Sequence, residues 1–191
     1  LACLLPFQAS CAQVTELVLQ LNTSRLASVP KGYVSFCLRN PEKCRTDAPR
    51  LVELDSMRWA QLTSVNFLYN SSITPVPDME QYGVRERWDV ATRYGDCEDF
   101  VLAKKSHLAA IGWPKSSLLI AVVDIPNAPV LERRHAVLLV MTDQGYYVLD
   151  NRSQKVEPWH RAQYKWISVQ SAKNPFVWHR VDRVERVASV R

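Results

Sequence analysis

The sequence contains no run of about eighteen consecutive apolar residues, so no segment is long enough to cross a bilayer as a helix. It has no internal repeat and no low-complexity tract, which excludes a stacked repeat array. Its cysteines do not fall at zinc-knuckle spacing and no stretch reads as a nucleic-acid motif, so nucleic acid is not an expected partner. Histidine is scarce: His107, His135, His160 and His179 are the four carriers available for imidazole chemistry. The apolar start, Leu1 to Phe7, lacks the positive segment that opens a complete secretion signal.

What is present describes one globular domain. The chain has 191 residues, 47% apolar and 23% charged, enough for a proper core. Six Trp and seven Tyr suit a well-packed core or aromatic-lined grooves. The formal charge is +5, with basic residues gathered between Lys165 and Arg191; this reads as a solvated basic face or as attraction to an acidic partner or membrane surface. Ser10-Cys11-Ala12 is a small-residue cleavage site after an apolar stretch. Residues 1–12 are therefore expected to be the remnant of a signal peptide and the protein to be exported to the periplasm. Residues 13–30 are expected to be a linker or loose helix, and 31–191 a single domain.

Cys37 and Cys44 bracket a turn containing Pro41; in an exported protein this predicts a short-loop disulfide, and in a reducing compartment two free thiols. Asp55 followed by Trp59, Leu62, Val65 and Tyr69 predicts a capped amphipathic helix over 56–70. A second helix starts at Cys97 and runs to about Ile111, where Gly112 and Pro114 stop it. The pattern then becomes β: 118–123, 136–141, 146–149, 164–169 and 176–181, with Asp143-Gln144-Gly145 as a hairpin turn. Helices first and an antiparallel sheet afterwards predict an α+β domain.

The stretch with the most chemistry is Gly95-Asp96-Cys97-Glu98-Asp99. Asp96 is placed to cap the helix, and Cys97 then sits at the positive end of the helix dipole, which lowers a thiol pKa. Asp96, Glu98 and Asp99 push the other way. The cysteine is thus either inert or served by a cation, a histidine or a metal ion. His107 lies ten residues along the same helix, about 15 Å away at 1.5 Å per residue, too far to serve it. His135 begins a strand and Asp150 ends the next, so the order Cys97, His135, Asp150 fits a nucleophile, a general base and an orienting carboxylate. Side chains alternate along strands, so these roles require Met141 to pair with Tyr146, or a bulge. Three crowded carboxylates suit calcium, which takes many oxygen ligands, better than a thiolate-seeking metal that would block Cys97.

The Gly-Asp-Cys-Glu-Asp block, Gly112-Trp113-Pro114, His135-Ala136-Val137-Leu138 and Val148-Leu149-Asp150-Asn151 resemble the bacterial transglutaminase-like cysteine proteinases. The resemblance spans about Gly32 to Val181 and includes Tyr82-Gly83, Trp88 and Pro158-Trp159. It implies a papain-like α+β fold, a periplasmic location and a Cys97-His135-Asp150 triad. In one branch of the family calcium binds beside the nucleophile, which maps onto Asp96 and Glu98 here. In that branch the substrate is a large surface adhesin cut at a pair of alanines, and a cyclic di-GMP-responsive inner-membrane receptor sequesters the protease. One departure stands out: many relatives have glycine just before the histidine, where this chain has Arg134 after Arg133.

Acyl transfer from a peptide carbonyl to Cys97 would need an oxyanion site, for which the Cys97 backbone N–H and the Trp88 indole are candidates. Water as second substrate gives an endopeptidase; an amine gives transglutamination by the same intermediate. A binding module that lost activity, or a basic membrane-associated scaffold, are the alternatives from other classes.

Overall fold

The computed structural model describes residues 17–22, 25–130, 132–181 and 183–188. In chain order the elements are β1 (Leu17–Asn22), β2 (Leu26–Ala27), α1 (Lys31–Arg39), α2 (Ser56–Ser72), β3 (Thr74–Pro75), α3 (Asp78–Tyr82), β4 (Tyr94–Gly95) and α4 (Cys97–Ala110). They continue with β5 (Leu118–Asp124), β6 (Arg134–Thr142), β7 (Gly145–Asp150), β8 (Ser153–Pro158), β9 (Lys165–Gln170), β10 (Trp178–Arg180) and β11 (Arg183–Ala188). The expected α+β class is what forms: a seven-stranded sheet in the order β2-β10-β9-β5-β6-β7-β8, with antiparallel neighbours.

The sheet is buried on both faces because β6 is apolar without interruption from Ala136 to Met141. Ala136, Leu138 and Val140 face the helices and meet Leu62, Val65, Val101 and Leu108. Val137 and Leu139 point the other way, where Trp159, Ala162 and Tyr164 cover them. α4 packs on β6 and α2, so the helix that begins at Cys97 is held against the strand that begins beside His135.

Both main helices are bounded as local chemistry requires. The Asp55 carboxylate accepts the Arg58 N–H at 2.7 Å and caps α2, an interaction worth about 1 kcal/mol. α4 ends in a Schellman motif: Trp113 N–H reaches Leu108 O at 3.0 Å and Gly112 N–H reaches Ala109 O at 3.1 Å. Gly112 holds φ at +91°, where a side chain would be strained.

Some expectations are revised. Residues 1–12 lie outside the described residues. The linker or loose helix expected over 13–30 is, where described, β-structure: β1 pairs antiparallel with β11 and β2 with β10. Partners at the far end of the chain supply the hydrogen bonds a helix would have made internally. The turn expected between Cys37 and Cys44 forms over 41–44, and Cys37 itself lies near the end of α1. The disulfide itself forms, with Cα atoms 5.6 Å apart across a separation of 7 residues. Closing so short a loop stabilises by about 2–3 kcal/mol in the chain-entropy picture.

Candidate active site

Cys97 is delivered by a short parallel pairing. β3, directly after α2, pairs with β4, Thr74 with Tyr94 and Pro75 with Gly95. Val76 N–H then bonds Gly95 O at 3.0 Å, fixing the chain just ahead of α4. Gly95 has no substitute here: a Cβ would lie 2.7 Å from Asp99 Cβ and 2.9 Å from Asp99 Oδ2. Asp96 occupies the N-cap position and its carbonyl accepts the Phe100 N–H at 3.1 Å, but its side chain makes no capping bond. That corrects the expected cap: the carboxylate joins a cluster of acids instead.

The Cys97 thiol donates to Glu98 Oε2 at 3.0 Å and accepts the Ala136 N–H at 3.4 Å. Burial pushes its pKa well above the usual thiol value, and the charges and hydrogen bond of Glu98 and Asp96 push the same way; the Ala136 N–H opposes them. In this arrangement the thiol proton is held toward Glu98, and His135 makes no hydrogen bond to it. The contact with β6 is possible because β6 outruns β7. Its pairing with β7 begins at Leu138, so 134–137 are bonded to β5 alone and the Ala136 N–H is free to meet the sulfur.

The β6–β7 register pairs Met141 with Tyr146 and Leu138 with Leu149, which brings Asp150 opposite Val137 and onto the His135 face. His135 Nε2 lies 2.8 Å from Asp150 Oδ1, both side chains buried. An ionised Asp150 accepts, so Nε2 carries the proton and Nδ1 is the lone-pair atom left for the cleft. Burial raises the Asp150 pKa, but His135, Tyr164 and the Arg152 N–H together hold it below the usual value. The Arg152 N–H donates to Oδ1 at 3.1 Å and the Tyr164 hydroxyl to Oδ2. The Tyr164 ring also tilts against the imidazole, centroids 5.8 Å apart. From α2, Asn70 Nδ2 holds the Asp150 carbonyl at 2.8 Å and Asn66 Nδ2 the Ser153 carbonyl at 2.9 Å. In the sequence Tyr164 marks only the start of a strand, with no local sign of its partner Asp150.

The acids around Cys97 form two constellations that share Asp96: Asp96, Cys97 and Glu98, and Asp78, Asp96 and Asp99, each with donor atoms within 4.8 Å. Asp78, on α3, was not singled out by sequence, since 18 positions separate it from Asp96. Asp99 does not cap α4; its Oδ1 accepts the Asp89 N–H at 2.7 Å. Burial raises the Asp78 pKa to about 6 and that of Asp99 to about 7, with neighbouring carboxylates adding to each. Asp78 Oδ1, Asp96 Oδ1 and Asp99 Oδ2 are all buried without a partner. Three orphaned carboxylate oxygens from one cluster are a donor set that a hard divalent cation satisfies.

Cys97 and His135 line one cavity of about 850 Å³, together with Trp88 and Ser168. Trp88 is buried, stacks edge-on against Tyr33 at 5.6 Å, and its indole N–H is engaged by Glu86 Oε1 at 3.2 Å. It stands at the cleft wall as a core tryptophan with its donor already used. Arg134 lines the same cavity and pairs with Asp124 at 3.3 Å. Of the other histidines, His107 meets Tyr69 and lies away from the cleft.

Comparison with known proteins bears on the family and the fold. The family described as bacterial transglutaminase-like cysteine proteinase BTLCP matches residues 23–186. The calcium-bound structure of Legionella pneumophila LapG superposes with a TM-score of 0.53 at 24% identity, covering 69% of this chain and 74% of that one. The EGTA-treated structure of the same protein gives 0.50 at 23% identity, covering 67% and 71%. These likenesses show a shared transglutaminase-like fold. No curated protein matches the chain.

Proposed function

Because the chain belongs to the bacterial transglutaminase-like cysteine proteinases, and is a cysteine protease of that fold, we propose that it is an exported endopeptidase in which Cys97, His135 and Asp150 form the catalytic triad. The observation that carries the roles is the buried His135–Asp150 bond of 2.8 Å at the wall of the cavity that holds Cys97. Asp150 fixes the imidazole so that Nδ1 faces the reacting side. His135 takes the Cys97 proton as the sulfur attacks the peptide carbonyl, then returns it to the leaving amine. Water deacylates the thioester. The Cys97 backbone N–H at the start of α4 is the oxyanion donor we assign; the Trp88 indole would have to leave Glu86 to become the second.

Calcium dependence is part of the proposal. Asp78, Asp96 and Asp99 would hold the ion, with Glu98 as the carboxylate between it and the thiol. Its contribution would be positive charge where carboxylates otherwise hold the Cys97 thiol protonated. The calcium-bound and EGTA-treated relatives support this reading, as do the three orphaned oxygens. The Cys37–Cys44 disulfide supports an oxidising compartment such as the periplasm. The resemblance adds a large surface adhesin as substrate and a cyclic di-GMP-responsive inner-membrane receptor as partner.

The test is N-terminal mapping of cell-envelope proteins with and without Cys97→Ala. A new N-terminus on a surface protein should vanish in the variant. Identical N-termini in both strains would end the endopeptidase reading.

A further inference from the structure

We propose that the cleft selects peptides with acidic side chains flanking the scissile bond, and that Lys31, Arg85, Lys165 and Arg180 are the specificity-determining residues. The proposal rests on the endopeptidase reading and names the substrate class of that same cavity.

The four cations come from two parts of the cavity lining. Lys31, the first residue of α1, and Arg85, ahead of Trp88, belong to one, joined where the Gly32 N–H meets Glu86. Lys165 at the start of β9 and Arg180 at the end of β10 belong to neighbouring strands of the sheet. All four are exposed, and none forms an ion pair with a described carboxylate. Arg134, beside His135, is a fifth, but Asp124 takes it up at 3.3 Å. Asp124 is also the ladder partner of both Arg134 and Lys165, so one carboxylate faces two cations across the sheet.

The acids lining the cavity do not balance this. Asp96 and Glu98 lie at its floor, where they belong to the cluster beside the nucleophile. Glu86 is the exposed acid of the lining, and its Oε1 already accepts the Gly32 N–H at 3.3 Å and the Trp88 N–H at 3.2 Å. The lining therefore carries an excess of positive charge in the cavity that holds the thiol. A concave cavity suits a peptide segment better than a flat anionic surface. A low-dielectric cleft lined by one sign of charge concentrates ligands of the other. Rim charges act on encounter and salt dependence more than on the chemical step, so the preference should show in KM and weaken with ionic strength.

The experiment uses three fluorescent peptides of equal length with an Ala-Ala centre, flanked by Glu, by Gln or by Lys. Binding to calcium-loaded Cys97→Ala protein is read by anisotropy at low and high ionic strength, and cleavage by the wild type is followed in parallel. The Glu peptide should bind on the order of tenfold more tightly than the Gln peptide and the Lys peptide more weakly still, with the gap closing at high salt. The pair Lys165→Glu and Arg180→Glu should reverse the order. Lys31→Gln with Arg85→Gln should flatten it, covering the case in which the first pair does not fold. Equal binding of the three peptides, or an order untouched by both pairs, overturns the proposal while cleavage keeps the protease reading. Selective binding with no cleavage of any peptide supports the acidic preference and counts against the proposed substrate core.

Discussion

On the sheet side of the cleft, Asp150 has both carboxylate oxygens bonded, to His135, Arg152 and Tyr164. On the helix side, Asp78, Asp96 and Asp99 each leave a buried oxygen without a partner. The two halves also differ in how burial works on them. Asp150 is buried, yet its partners hold its pKa below the usual carboxylate range. Asp78 and Asp99 have one backbone N–H each, from Arg87 and Asp89, and burial with neighbouring carboxylates still drives them to about 6 and about 7. A half with complete hydrogen bonding is organised by folding alone. The orphaned oxygens on the helix side are what supports the proposed calcium there, as the His135–Asp150 bond supports the proposed base on the sheet.

Breaking the sheet half should have the largest effect. Asp150→Ala removes the carboxylate that orients His135 and should lower kcat by about 10²–10⁴-fold, the usual worth of a positioned acid or base. The same variant should still be stabilised by calcium in a thermal melt, because the helix half is untouched. Loss of calcium stabilisation in Asp150→Ala would mean that the two halves are one unit.

Breaking the helix half comes next. Excess chelator should abolish most activity, with calcium restoring it better than magnesium, which tolerates irregular oxygen cages poorly. At calcium about a hundredfold above its dissociation constant, binding should add about 2.7 kcal/mol to unfolding stability. Asp78→Asn should remove that gain, although Asp78 lies outside the nucleophile's helix. Full calcium stabilisation of Asp78→Asn, seen by calorimetry, would return the site to Asp96 and Glu98 alone.

A smaller change sharpens the sheet half. Tyr164→Phe deletes one hydrogen bond to Asp150 Oδ2 and leaves the ring against His135. Stability should fall by about 1 kcal/mol and kcat by about tenfold, with KM unchanged and the pH–rate profile displaced. An unmoved profile with the same stability loss would make Tyr164 structural only.

An effect on stability alone is expected at Lys104 of α4, which is 1% exposed and donates to Asn66 Oδ1 at 2.8 Å. Burial lowers its pKa to about 7. The unfolded chain keeps that proton up to about 10.4, so between the two values unfolding takes up a proton and stability rises with pH; below about 7 the full penalty is present. Lys105, also lowered to about 7, adds in the same sense. Urea unfolding from neutral pH to about pH 10 should show the rise, and Lys104→Met should reduce it. An identical slope in the variant would place the titration elsewhere.

Local pattern made half of this site legible. Period-two alternation and the Asp143–Gly145 turn showed that a face shared by His135 and Asp150 needs the Met141–Tyr146 register or a bulge, and that register is the one that forms. Gly112 and Pro114 marked the end of α4, and Cys37 and Cys44 their bond. The unread elements lacked such a signal. β8 is polar enough to pass for loop, with Val156 its one buried residue. α1 was masked by the prolines that bound it, Pro30 and Pro41, which read equally well as turn residues.

The sequence by itself determined the chain order of Cys97, His135 and Asp150, the helix that starts at Cys97, the hairpin that carries the other two, and the density of acid beside the thiol. These follow from spacing along one or two elements, where side-chain direction is set by helical or strand period. Tertiary structure alone decided which acids converge, because Asp78 comes from α3 to meet Asp96 and Asp99 on the far side of Gly95. It alone turned the Asp96 side chain away from its cap, engaged the Trp88 indole with Glu86, and brought Tyr164 from the edge of β9 to Asp150. The acids and Tyr164 meet across separations that carry no helical or strand period, so local pattern gives no sign of them; the Trp88 indole meets an acid two residues away, and only the packing around it decides that this side chain is the partner.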